Sequence, residues 1–280
     1  MSSLPFYMAL NRNLKIASVS IDITWADPEE SRLSSRKALD ALPDDVDVAV
    51  LPELFTTGFV TREDEARKLA EKWEDSPTLS FLKKESAQNN LAICTSFLVD
   101  DGDDKPKNRC VFVEPSGEVT FYDKRHLFSI SPESSLLKAG SSKSPIVRFR
   151  GWNFCMAVCY DLRFPVWTRN INNAYDVLIV PANWPSGRGY QWEHLLIGRA
   201  IENQSYTIGA NRSGHDDFGK YDDLTFVFDY LGMSIGKPLE TKVQFGNATK
   251  IILAELSQND LESFRKHFPV YKDADNFKLI

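Results

Sequence analysis

Apolar and polar positions divide the chain into short β-branched runs separated by longer amphipathic stretches, which is the pattern of an α/β protein. Residues 14–22 (Leu-Lys-Ile-Ala-Ser-Val-Ser-Ile-Asp) alternate in polarity, as a half-buried strand does. Residues 46–52 and 176–181 are dense in Val, Ile and Leu and predict strands buried on both faces. A similar run from Trp152 to Val158 changes character abruptly at Cys159. Further strands are expected at 91–98, 108–114, 118–122, 206–211, 224–228 and 242–253, with Pro115-Ser-Gly117 turning the chain between the second and third. Helical spacing and start signals predict helices from Asp27 or Pro28 to Leu42, over 62–73, over 77–88, from near Pro165 through Trp167, over 190–202 and over 258–267. There is no internal repeat, low-complexity segment or linker. The pattern predicts one domain over 1–280, with a core of about 14–254 and a C-terminal helix and tail at 255–280.

Composition narrows the classes. The chain has 280 residues, 42% of them hydrophobic and 26% charged, enough to bury a sizeable core. Its net charge of −6 argues against a nucleic-acid partner. No apolar run approaches the roughly 18 residues that span a bilayer, so no membrane partner is expected. Residues 1–13 lack a basic start followed by an apolar core, which predicts no secretory signal. The four cysteines (Cys94, Cys110, Cys155 and Cys159) show no C-x-x-C spacing, and the four histidines are scattered. A reduced, cytoplasmic, metal-free protein is the simplest expectation. The acidic stretch Asp100 to Asp104 reads as a solvated surface turn.

The candidate chemistry lies at strand ends, which carry Glu53, Lys124, Cys159 and Asn183. A thiol at a strand-to-helix turn is exposed beside outward-pointing amides, although most free cysteines are inert core residues. A cysteine nucleophile needs a base and a positive group. His126, His194, His215 and His267 are possible bases. Glu53 is another, if burial raises its pKa, with Lys124 to hold an oxyanion.

Leu51-Pro-Glu-Leu-Phe-Thr-Thr-Gly-Phe59, Tyr122-Asp-Lys-Arg-His-Leu-Phe128 and Cys159-Tyr-Asp-Leu-Arg-Phe-Pro165 resemble, in order and spacing, the signature stretches of the nitrilase superfamily of carbon–nitrogen hydrolases. Pro181-Ala-Asn-Trp-Pro185 and Arg199-Ala-Ile-Glu-Asn203 extend the likeness, which covers about Lys15 to Leu253 and is strongest to the YafV-type omega-amidases. The resemblance implies a four-layer α-β-β-α sandwich that dimerises to eight layers, no cofactor, and a Glu53-Lys124-Cys159 triad supported by Glu133. It also implies a small-molecule amide substrate, a terminal amide of a 2-oxo-dicarboxylic monoamide cleaved through a thioester. The Tyr160 amide would help to hold the oxyanion, and Phe59, Asn183, Trp184 and Tyr160 are candidates for the pocket. Lys138 stands where the family places an aromatic residue before Gly140. Asp161 and Arg163 are expected to pair and fix the elbow, Arg199 and Glu202 to form a supporting pair, and Arg188 or Arg212 to be available to a substrate carboxylate. The loop Ser213–Tyr221 does not match the group and is expected to border the pocket. Cleavage of an N-carbamoyl amine, a nitrile or another aliphatic amide is the nearer alternative, and a non-catalytic interaction protein the further one.

Overall fold

The computed structural model describes residues 13–60, 62–240, 247–275 and 277. The first half runs β1 (Leu14–Ile21), α1 (Pro28–Asp40), β2 (Val48–Val50), α2 (Glu63–Leu69), β3 (Glu71–Lys72), α3 (Pro77–Asn89), β4 (Ala92–Asp100), β5 (Lys107–Val113), β6 (Val119–Asp123) and the single turn α4 (Glu133–Leu136). The second half runs β7 (Val147–Phe149), β8 (Trp152–Met156), a 3₁₀ turn (Cys159–Arg163), β9 (Val177–Ala182), α5 (Gly189–Asn203) and β10 (Tyr206–Asn211). It closes with β11 (Gly214–Asp216), β12 (Gly219–Tyr221), β13 (Phe226–Phe228), β14 (Lys237–Pro238), β15 (Ala248–Leu256) and α6 (Gln258–His267).

Among the described residues these strands form two mixed sheets and a β11–β12 hairpin. One sheet has the order β14-β15-β1-β2-β4-β5-β6, with β3 also paired to β4; the other has the order β13-β10-β9-β8-β7. β1, β2 and β4 run parallel, as do β8, β9 and β10.

The period-two alternation of side chains explains why these strands are apolar on both faces. Ile16, Val48, Val50 and Cys94 of the first sheet join Phe154, Met156, Ile179 and Ile208 of the second in one cluster. Their neighbours Ala17, Ala49 and Ile93 point the other way, onto Leu39 of α1 and Leu82 of α3. On the second sheet Leu178 and Val180 meet Trp192, Leu196 and Ala200 of α5. Asp27 and Ser76 cap α1 and α3, each ahead of a proline at the first helical turn.

Several expectations change. The helix expected over 62–73 ends at Leu69, because Glu71 and Lys72 pair with the end of β4 and the Glu71 carboxylate caps the start of α3. No helix follows Pro165; the 3₁₀ turn precedes it instead. Groups of the 164–170 segment bond outward, Trp167 Nε1 to Tyr122 and the Asn170 amide to Asn203, in place of an internal ladder. The acidic turn is more than solvated, since Asp101 binds Lys107 and Arg109 while Asp103 binds Lys107 and Lys138. Those lysines hold the Asp103 carboxyl down at about 2. α6 lies beyond the expected 14–254 core, yet it joins that core through Leu261 and through Arg265, which bonds Asp176. Residues 242–246 of the expected 242–253 strand lie outside the described residues, and 248–253 belong to β15. Among the described residues no helix is long and apolar enough to cross a membrane.

Candidate active site

Four strands running the same way deliver their C-terminal ends to one edge of the two sheets, where α/β proteins gather polar groups. Glu53 follows β2, Lys124 follows β6, Cys159 follows β8 and Asn183 follows β9. The Lys124 ammonium is buried between two carboxylates, 2.8 Å from Glu53 Oε1 and 2.7 Å from Glu133 Oε1. Asn108 Nδ2 donates to Glu53 Oε1 at 2.8 Å, and the Asn183 backbone amide donates to Glu53 Oε2 at 2.9 Å. The Phe128 amide donates to Glu133 Oε2 at 2.6 Å. These fixed donors aim Glu53 and Glu133 at one ammonium rather than at solvent.

Burial disfavours the Lys124 charge, but Glu133 and Glu53 outweigh it and hold the ammonium well above the usual lysine range. Burial pushes the Glu133 carboxyl upward, against the pull of Lys124. The expected aromatic position before Gly140 is Lys138, and the glycine itself explains the local packing. The Gly140 amide bonds the Lys124 carbonyl at 2.8 Å, and a Cβ there would lie 2.1 Å from the Asp123 carbonyl oxygen.

Cys159 occupies the left-handed region at φ 44°, a conformation that costs a non-glycine residue of order 1–3 kcal/mol. Burial pushes its thiol pKa well above the ordinary value and the Glu53 charge adds to this, while Lys124 and the Asn183 amide oppose it. Its surroundings therefore favour the thiol over the thiolate. Cys155, four residues earlier in β8, is a buried core thiol whose pKa burial pushes up to about 12.

The elbow is fixed differently from expectation, because Asp161 and Arg163 do not pair. Asp161 is fully buried and accepts from Val158 N at 3.0 Å, His126 N at 2.9 Å and Tyr122 OH at 2.8 Å, with His126 Nδ1 also at 2.8 Å. One carboxylate thus ties the strand end before Cys159 to the segment that carries Lys124. Arg163 turns away and lies over the Trp184 ring. Arg199 pairs with Glu202 at 2.9 Å as expected, and also donates to the Leu162 carbonyl inside the elbow.

Cys159 and Lys124 line a small cleft. Phe59, Tyr160, Asn183 and Trp184, all expected in a pocket, line it. Phe128, Phe218, Arg163 and Arg188 line it as well. The two phenylalanines are not expected there from the sequence, although Phe128 closes the Tyr122–Phe128 motif. Phe218 packs on Phe59 at 5.0 Å and on Phe128 at 6.3 Å, so the 213–221 hairpin does border the cleft. Arg212 is fully buried against Asp216 and backbone carbonyls and is closed to a ligand. Asn108 was also missed, since nothing at its position marks a partner 55 residues away. Among the described residues no cluster of His, Cys, Asp and Glu could hold a metal ion.

The carbon–nitrogen hydrolase family model matches residues 15–266. The chain is 39% identical over 267 residues to the omega-amidase YafV of Escherichia coli, covering 95% of this chain and 98% of that protein. It is 28% identical to the 2-oxoglutaramate amidase of Bacillus subtilis, over 92% of this chain and 96% of that one. The crystal structure of XC1258 from Xanthomonas campestris, a CN-hydrolase superfamily protein, superposes with a TM-score of 0.86 at 33% identity, covering 96% of this chain and all of that one. The chain belongs to the carbon–nitrogen hydrolase family.

Proposed function

We propose that this carbon–nitrogen hydrolase is an amidase releasing ammonia from the terminal amide of small 2-oxo-dicarboxylic monoamides, such as 2-oxoglutaramate and 2-oxosuccinamate. The observation that carries the reading is the buried Glu53–Lys124–Glu133 chain beside a cysteine held in a strained elbow. The names of two relatives, an omega-amidase and a 2-oxoglutaramate amidase, support the choice of amide.

In the proposed reaction Glu53 takes the Cys159 proton as the sulfur attacks the amide carbon. The Lys124 ammonium and the Tyr160 backbone amide donate to the oxyanion, where preorganised donors act most strongly. The C–N bond breaks, Glu53 returns its proton to the departing ammonia, and a thioester remains on Cys159. Glu53 then deprotonates water, which attacks the thioester; the thiol leaves with the returned proton and the acid departs. Glu133 orients Lys124 throughout, and no step needs a metal or organic cofactor. Phe59, Tyr160 and Trp184 supply apolar walls, and the Asn183 amide holds Glu53.

A four-layer helix–sheet–sheet–helix sandwich in one domain, pairing as a homodimer in the cytoplasm, belongs to the same proposal. The three core clusters, between the sheets and beneath α1, α3 and α5, support the layering. The test is ammonia release from 2-oxoglutaramate compared with glutamine and simple aliphatic amides, with carbon dioxide measured alongside. The reading predicts ammonia without carbon dioxide, and a large loss when either the 2-oxo or the carboxylate group is removed. Turnover retained by Cys159→Ala would overturn the role of the cysteine.

A further inference from the structure

The cleft holds two guanidiniums that the proposed chemistry does not use. Arg163 lies with Cζ 4.8 Å from the Trp184 ring centre, and Arg188 with Cζ 5.3 Å from that of Phe128. Both are half-buried and both line the cleft that opens onto Cys159. Among the described residues neither meets a carboxylate within ion-pair distance, in contrast to Arg109, Arg150, Arg199, Arg212 and Arg265. Arg188 sits in a turn held from within the cleft, because Trp184 Nε1 donates to its carbonyl at 2.8 Å. The aromatic faces fix the planes of the two forks and leave N–H edges unmet.

We infer that Arg163 and Arg188 form the subsite for the substrate's far carboxylate, and that they set the preference for acyl groups carrying one; this rests on the amidase reading above. Three observations lead there. Among the described residues Lys124 is the other cation lining the cleft, and its ammonium is shared by two glutamates, which leaves its third N–H for the oxyanion at Cys159 rather than for a carboxylate at the far end of the substrate. Arg212 is closed off by Asp216. The remaining walls are largely aromatic, so a ligand anion finds its matching charge at these two arginines, whose planar forks suit a carboxylate bidentately. The amide end of the same molecule then reaches Cys159.

The test compares kcat/KM for 2-oxoglutaramate with that for its methyl ester, which keeps the chain and the 2-oxo group but masks the charge. It is run in the wild type, Arg188→Gln, Arg163→Gln and Arg188→Lys. The wild type is expected to prefer the free acid. Either glutamine variant should reduce that preference by about 10- to 100-fold, the range for a lost charge-assisted contact, and mainly through KM. Arg188→Lys should recover only part of it, since the charge stays and the fork is lost. Turnover of the ester in the same preparation reports that each variant is folded. A preference unchanged in both glutamine variants would overturn the subsite while leaving the amidase reading standing. A wild type that hydrolyses neutral amides but neither 2-oxoglutaramate nor its ester would overturn the 2-oxo-monoamide reading on which the subsite rests.

Discussion

Asp161→Asn tests how the elbow is held. The buried carboxylate faces two donors on each oxygen: His126 N and Nδ1 on Oδ1, Val158 N and Tyr122 OH on Oδ2. An asparagine keeps one acceptor oxygen and turns an NH₂ group toward the other pair, leaving two buried donors without an acceptor. Tyr122 has no spare lone pair to compensate, because its oxygen already accepts from Trp167 Nε1 at 2.8 Å and Arg125 N at 3.1 Å. At roughly 1–3 kcal/mol for each unsatisfied donor, the expected loss is about 2–6 kcal/mol, a large part of the ~5–15 kcal/mol that stabilises a typical domain. Urea unfolding followed by tryptophan fluorescence measures that loss, and ammonia release from 2-oxoglutaramate measures its effect on the site. Because Asp161 joins the Lys124 segment to the Cys159 elbow, kcat should fall more than KM rises. A variant within about 0.5 kcal/mol of the wild type, as for an ordinary surface change, and with unchanged kcat would refute the reasoning.

Glu53→Gln should abolish turnover and yet lower the thiol pKa of Cys159, since the Glu53 charge now raises it; ultraviolet titration of the thiolate checks this, and an unchanged or higher value contradicts it. Gly140→Ala places a methyl group against the Asp123 carbonyl, which cannot yield; a cost of about 1–3 kcal/mol in unfolding free energy and a lower kcat through displaced Lys124 are expected. Asp103→Asn removes a carboxyl held at about 2 by Lys107 and Lys138, so its native pKa lies below the ordinary 3.8. Its contribution is present above 3.8 and lost as pH falls toward 2. The gap in urea midpoint between wild type and Asp103→Asn should be steady at neutral pH and close over that acid range; a gap that widens there counts against the ion pairs.

Strand ends were legible because β-branched runs such as 46–52 and 176–181 stop abruptly at Pro52-Glu53 and Ala182-Asn183. The start of α1 at Asp27-Pro28 was legible for a local reason too, a capping side chain followed by proline. What escaped depends on partners far away in sequence. Pro165 carried the same local signal as Pro28 and Pro77, yet no helix follows, because Tyr122, Tyr175 and Asn203 take up the groups of 164–170. The adjacency of Asp161 and Arg163 suggested a pair, but donors 35 and 39 residues upstream claim the aspartate and Trp184 claims the arginine. The acidic run at 100–104 looked solvated because its cations, Arg109 and Lys138, come from the next strand and from beyond α4. Phe128 and Phe218 carried no periodic signal, and only the closing of the hairpin over the cleft brings them together.

The central claim is that Cys159 is the nucleophile of an amide hydrolysis. Its most direct test is rapid acid quenching of the protein during turnover of 2-oxoglutaramate, followed by intact and peptide mass spectrometry. The account predicts a 2-oxoglutaryl thioester on the peptide bearing Cys159, labile to hydroxylamine and absent from Cys159→Ala. Continued ammonia release by Cys159→Ala, or an acyl group carried on any other residue, would contradict it.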